Sequence, residues 1–258
     1  MEKRRSGTRH SSNPERFLVT TVSAAQAPLA LATPTLAHTS VPILGRSTPF
    51  PVRRIYCVGR NYVDHIREMK EGDERDPPFF FQKPSDAIVT NGKVPYPCNT
   101  EDFQFELELV VAIGATPPAQ AHERALESVL GYAVGLDMTR RDRQRECLQQ
   151  SRPWEPGKSF DASAPCSSIA PVESCGHVLQ GTLQLQVNGE IRQQSVLEKM
   201  IWNVPEIIAQ LSQQYLLMPG DLIFTGTPAG VGPVVPGDRL SGRIAGLPTL
   251  EVHILPQL

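Results

Sequence analysis

No Cys-x-x-Cys pair occurs in this 258-residue chain, and its five cysteines (57, 98, 147, 166 and 175) are odd in number and scattered. That pattern argues against a zinc knot or a disulfide framework and fits a reducing interior, so a cytoplasmic location is expected. No apolar run approaches the ~20 residues that a membrane span needs. A dominant charge is missing too. Lys and Arg total 25 against 27 acids, a net charge of −2, so neither nucleic acid nor an anionic membrane surface is expected as a partner. No repeat of fixed period occurs either.

What is present is an ordinary globular composition, 40% hydrophobic and 20% charged, long enough for one large domain or two small ones. Residues 1–51 are rich in Pro, Ser, Thr and Ala and lack a sustained period of 2 or 3.6. Lys3, Arg4, Arg5 and Arg9 read as a solvated tail, and roughly the first 27 residues read as disordered or foreign to the fold. The run FLVTTVSAAQAPLALA (17–32) faintly imitates a secretion signal, but Gln26 and Pro28 interrupt it, and an upstream extension is the preferred reading. The expected division is therefore an extension over 1–48, partly disordered, and a catalytic domain over 49–258.

From Val52 onward the pattern becomes dense. VRRIYCVG (52–59) predicts a strand, NYVDHIREM (61–69) a helix, EGDERDPP (71–78) a polar linker and FFFQKP (79–84) a strand closed by Pro84. FELELVVAIG (105–114) predicts a buried strand, followed by a helix near 120–130 and a second apolar strand, GYAVGLDMT (131–139). A helix is predicted over 141–150. A hairpin is predicted over 183–194 around Asn188-Gly189, and a helix over 204–215 with Asn203 as cap and Pro205 in its first turn. Pro-Gly-Asp turns at 219–221 and 236–238 introduce the closing strands. The mixture is α+β and strand-dominated, with too few helices for a doubly wound sheet.

Within the buried strand, Glu106 and Glu108 alternate with Phe105, Leu107 and Leu109, so both carboxylates leave one face. Repulsion and desolvation oppose that arrangement unless a positive charge lies between them. Asp137 ends the next apolar strand. If the two strands are neighbours, three carboxylates converge on a site for Mg²⁺ or Mn²⁺; otherwise they are acids on an exposed edge. His65 and Glu68, spaced i and i+3, form either a base with its orienting carboxylate or part of a solvated helix face. Arg141, Gln144 and Lys158 are candidates to hold an anionic substrate or developing negative charge, the alternative being arginines that merely coat a helix. TGTPAGVGP (225–233) suits either an anion cradle or a turn-rich loop, and it is no Walker loop.

Seven motifs in this order resemble the fumarylacetoacetate hydrolase family: VGRNYVDHIREM, FELELVVAIG, GYAVGLDMTRRDRQ, PWEPGKSFD, VNGEIRQQ, MIWNVPEIIAQLS and GDLIFTGTPAGVGP. The resemblance runs from about residue 50 to the C-terminus and is greatest to the short bacterial fumarylpyruvate hydrolases and acylpyruvases. It implies a mixed β-sandwich roll, a homodimer, and Mg²⁺ or Mn²⁺ held by Glu106, Glu108 and Asp137. It further implies His65 and Glu68 as the water-activating pair, Lys158 as stabiliser of substrate charge, Arg141 and Gln144 as substrate-binding residues, and Thr227 in the anion pocket. Relatives often carry His or Tyr just before the first of the paired acids, where this chain has Phe105. The expected activity is hydrolysis of a 2,4-dioxo acid, with fumarylpyruvate foremost, in gentisate-type aromatic catabolism. The alternatives are decarboxylation of oxaloacetate, isomerisation of an unsaturated 2-oxo dioate, and a catalytically silent binder on the same scaffold.

Overall fold

In the computed structural model the described residues are 38–65, 76–118 and 123–257. The main strands are β1 (Arg54–Gly59), β2 (Phe79–Lys83), β3 (Lys93–Pro95), β4 (Leu107–Ile113), β5 (Val129–Leu136) and β6 (Ala170–Pro171). They continue as β7 (Thr182–Val187), β8 (Glu190–Val196), β9 (Asp221–Phe224), β10 (Arg239–Ile244) and β11 (Leu250–Leu255). Three helices matter here: α1 (Arg141–Gln149), the single turn α2 (Glu155–Lys158) and α3 (Val204–Gln214).

Six strands form one mixed sheet in the order β6-β5-β4-β9-β1-β2, and five form a second in the order β8-β7-β10-β11-β3. In the first sheet β9 runs parallel to β1, while β4 is antiparallel to both β9 and β5. The architecture is the strand-dominated α+β sandwich expected from the sequence.

Alternation along β4 assigns its side chains to two faces. Leu107, Leu109, Val111 and Ile113 are buried toward the second sheet and α3, among Leu183, Leu185, Ile207 and Leu211. A Cβ on Gly242 of β10 would meet Leu107 Cδ1 at 2.8 Å, so glycine there lets the two sheets close. Val110 and Ala112 take the opposite face with Ile55, Cys57 and Phe224. That face is covered by a ribbon in which Ser40–Val41 pairs with Phe50–Pro51, burying Val41, Ile43 and Phe50. The ribbon runs across the boundary expected near residue 48.

Two local expectations are corrected. The acidic strand is broken at Glu106: Phe103–Phe105 leaves the large sheet to pair with Thr139–Arg140 and Gly232–Pro233 in a small three-stranded one. The helix expected near 120–130 is, over its described part, one 3₁₀ turn at Ala125–Ser128. Ser128 Oγ donates to the Ala125 carbonyl at 2.6 Å, and the β-branched Val129 already begins β5. The hairpin forms as read, with Asn188 and Gly189 at φ 52° and 84°, the pair of left-handed residues a type I′ turn requires. Helix α3 also starts as read. Asn203 Oδ1 accepts from the Glu206 amide at 3.0 Å while Glu206 Oε2 accepts from the Asn203 amide at 2.9 Å, a reciprocal cap.

Candidate metal centre and active site

Register brings the acids together. Glu108 lies opposite Gly135 and Leu107 opposite Leu136, so β4 and β5 are neighbours, and the Asp137 amide donates to the Glu106 carbonyl at 2.9 Å. Asp137 falls two residues beyond Gly135 and therefore takes the face of Glu108. The three side chains are buried, with one oxygen from each within 4.8 Å of the others.

Part of the positive charge that the sequence demanded is there, at Glu106 and Asp137. Lys158, on α2, directs its ammonium to Glu106 Oε2 at 2.9 Å, Asp137 Oδ2 at 2.8 Å and Thr139 Oγ1 at 2.8 Å. Arg141 opens α1 and donates from Nη2 to Glu106 Oε1, from Nε to Gln104 Oε1 at 2.9 Å, and from Nη1 to Gln144 Oε1. Burial alone would raise the Glu106 carboxyl, but Lys158, Arg141 and His65 outweigh it and hold the group well below the usual carboxylate range.

Glu108 is the opposite case. Burial, then repulsion from Asp137 and Glu106, push it well above the ordinary range, and among the described residues its one hydrogen bond comes from the Gly226 amide at 2.8 Å. Asp137 Oδ1 is also poorly served: it lies 2.8 Å from Lys83 Nζ, yet accepts no well-directed hydrogen bond despite being buried. Among the described residues, a buried Asp137 oxygen without a well-directed hydrogen bond lies beside a buried Glu108 carboxylate that forms no ion pair, the hard-oxygen donor set that Mg²⁺ and Mn²⁺ take. The residues fit a divalent ion.

Glu106, Glu108, Asp137, Arg141, Gln144, Lys158, Thr227 and His65 all line one cavity, walled further by Arg60, Phe81 and Trp154. Residues 63–65 begin the expected helix, and His65 is 8% exposed. Glu68, the expected partner of His65, lies outside the described residues. Thr227 is in the wall, but its hydroxyl proton is committed to the Leu107 carbonyl at 2.9 Å while Gln193 Nε2 donates to the same oxygen at 2.9 Å. Nor is the glycine loop a free anion cradle, since its Gly226 amide already serves Glu108. Gly226 has φ 95°, and a Cβ there would meet the Asn61 Cβ at 2.6 Å.

Sequence reasoning missed three supporting residues. Lys83, the last of β2 and 3% exposed, donates to the Met138 carbonyl at 3.1 Å and to the Lys158 carbonyl besides facing Asp137. Thr139 accepts from Lys158, and Gln193 fixes both the Leu107 amide, at 2.9 Å, and Thr227. A signal existed for Lys83: in FFFQKP it alternates with Phe79 and Phe81, the parity of an inward face. A lone lysine at a strand end gave no means to tell which face that was.

Residues 54–255 match the family described as Fumarylacetoacetate (FAA) hydrolase C-terminal. The chain is 45% identical over 179 residues to the fumarylpyruvate hydrolase of a Ralstonia species, covering 69% of this chain and 93% of that one. It is 42% identical over 203 residues to the mitochondrial oxaloacetate tautomerase FAHD1 of Homo sapiens, covering 78% and 91%. Among solved structures it is similar to the fumarylpyruvate hydrolase of Pseudomonas aeruginosa in complex with Mn²⁺ and pyruvate, with a TM-score of 0.85, 48% identity, and 88% of this chain and 99% of that one covered. Fold, buried acids and the length of these matches together make this chain an enzyme of the fumarylacetoacetate hydrolase family.

Proposed function

We propose that this protein hydrolyses the C–C bond of a 2,4-dioxo acid, with fumarylpyruvate, cleaved to fumarate and pyruvate, as the foremost substrate. The observation that carries the reading is the convergence of three buried carboxylates within 4.8 Å in the cavity that also holds His65. Similarity to two fumarylpyruvate hydrolases supports the choice of substrate.

Glu106, Glu108 and Asp137 would hold Mg²⁺ or Mn²⁺, which when bound polarises the 2-oxo and carboxylate oxygens of the substrate as a Lewis acid. His65 takes a proton from water as hydroxide adds to the 4-oxo carbon. Glu68 is assigned, from its spacing, to orient the imidazole. The C3–C4 bond then breaks with its electron pair on C3, giving a pyruvate enolate and the acyl acid. Lys158 supplies positive charge beside the enolate until a proton reaches C3. Arg141 and Gln144 bind the substrate carboxylate, while Thr227 acts through the wall it forms with Gln193.

The reading includes a homodimer in the cytoplasm, serving aromatic-ring catabolism. Light scattering tests the dimer. No helix among the described residues is long and apolar enough to cross a membrane.

A second reading, enolisation or decarboxylation of oxaloacetate, is supported by 42% identity to the human tautomerase. It requires the same chelated 2-oxo acid but no attacking water. Following loss of 2,4-dioxo-acid absorbance with Mg²⁺ and then EDTA, beside oxaloacetate, separates the two. The expected result is EDTA-sensitive cleavage of fumarylpyruvate, reduced by roughly 10²–10⁴-fold in His65→Ala with divalent-ion affinity retained. Turnover of oxaloacetate alone would place the chemistry in the second reading.

A further inference from the structure

A second cavity of about 610 Å³ opens beside the first, lined by Phe79, Phe81, Trp154, Arg60, Arg152 and Tyr215 among others. Arg60, Phe81 and Trp154 line both cavities, so the two adjoin. Phe81 is the shared wall: the Lys158 ammonium lies 5.2 Å from its ring centre, and Trp154 packs on it with ring centres 5.9 Å apart. Phe79 meets Trp154 edge-on at 4.9 Å, perpendicular, so the three rings make a fixed aromatic corner. Each is only half-buried, which leaves ring surface available to a ligand. Beside the corner Arg152 is exposed.

We infer that this groove is the acyl subsite of the reaction, taking a flat, conjugated or aromatic acyl end and receiving a terminal carboxylate at Arg152. The inference rests on the proposed hydrolysis, because a 2,4-dioxo acid chelated at C1 and C2 must carry its acyl group away from the carboxylate triad. The groove lies directly against the inner cavity at Phe81 and Trp154, on the side where that group can extend. An extended planar group can stack across all three rings, whereas a short saturated acyl end meets only the edge of the corner that Phe81 and Trp154 present to the inner cavity. Oxaloacetate has no acyl end at all, so the groove discriminates between the two proposed reactions as well as among dioxo acids.

The test is binding, read by calorimetry on Mg²⁺-loaded His65→Ala protein with three probes: acetopyruvate, benzoylpyruvate and fumarylpyruvate. If wild type proves unable to hydrolyse dioxo acids, it is titrated in the same way, so failure of the hydrolysis reading and failure of the subsite are seen separately. Benzoylpyruvate is expected to bind about ten-fold or more tighter than acetopyruvate, the scale of an apolar subsite. Trp154→Ala should collapse that ratio toward one, and Trp154→Phe should restore most of it. Because Trp154 precedes Lys158 on α2, a general loss on all probes is separated from a subsite loss by the ratio itself. Arg152→Gln should weaken fumarylpyruvate by several-fold relative to benzoylpyruvate. An unchanged benzoyl-to-acetyl ratio in Trp154→Ala, or equal weakening of all three probes in both variants, overturns the assignment.

Discussion

Glu106 lies among three donors, Lys158, Arg141 and Thr139, whereas Glu108 has one backbone amide. Removing charge from the first leaves two buried cations short of a partner, which costs about 3–5 kcal/mol. Glu108 forms no ion pair among the described residues and its surroundings favour the protonated form, so an amide there gives up no charge pairing. Glu106→Gln should therefore lower the melting temperature of the metal-free protein, and Glu108→Gln should leave it unchanged or raise it. Both should lose divalent affinity, since each takes one oxygen from the triad. Calorimetric unfolding in EDTA, beside Mn²⁺ titration, checks the pair. Equal destabilisation by both would mean that Glu108 has a cationic partner in solution.

Loop 225–233 ties strand β9 to the acids at the level of an element. Gly226 must adopt φ 95°, sit against Asn61 and deliver its amide to Glu108. An alanine cannot do all three. Gly226→Ala is expected to cost roughly 2–4 kcal/mol, in the range of buried strain and lost hydrogen bonds, and to weaken Mg²⁺ affinity. The control is Asn203→Ala, which removes the α3 cap and should cost about 1 kcal/mol while leaving the ion's affinity intact. Thermal melts and calorimetric titration of both variants give the answer, and an unweakened Mg²⁺ affinity in Gly226→Ala would remove the loop from the site. Elements with a strong local signal were legible in the sequence: the Asn188-Gly189 hairpin, the Asn203 cap and the strands ending at Gly59 and Lys83. The acids were legible because charge inside an apolar run is costly. The break at Glu106 was not, since leaving one sheet for another depends on Thr139–Arg140 and Gly232–Pro233, far away in sequence. Lys83 was hidden for the same reason: only the ladder Lys83–Ile55, with Phe81–Cys57 and Phe224–Val110 beside it, puts it on the face of Glu108.

Across the whole molecule, the site joins segments distant in the chain: β2 through Lys83, β4 and β5 through the acids, α1 through Arg141, α2 through Lys158, and the 225–233 loop through Gly226. Among the described residues three buried acids face the buried cations Lys83, Arg141 and Lys158, but these cations pair with Glu106 and Asp137 and leave Glu108 beside like charges, which favours its protonated form. A divalent ion held by the three acids would offset that imbalance and join the segments that carry them. At about 100 times its dissociation constant it adds about 2.7 kcal/mol, and about 5–10 °C in melting temperature for a domain of this size. The pH dependence has a definite sign. Glu108 has a folded-state value above its unfolded one, so in the metal-free protein its contribution is full below the ordinary carboxylate range and is lost as pH rises through the elevated one. Glu106 acts oppositely but in a lower window, losing its contribution only in strong acid. An ion must displace the Glu108 proton to bind. The difference in melting temperature between Mg²⁺ and EDTA should accordingly be small at acidic pH and widen toward neutrality, with proton release on Mg²⁺ titration in buffers of different ionisation enthalpy. A stabilisation that ignores pH across that range would mean that Glu108 is not among the ion's ligands, and the centre would then rest on Glu106 and Asp137 alone.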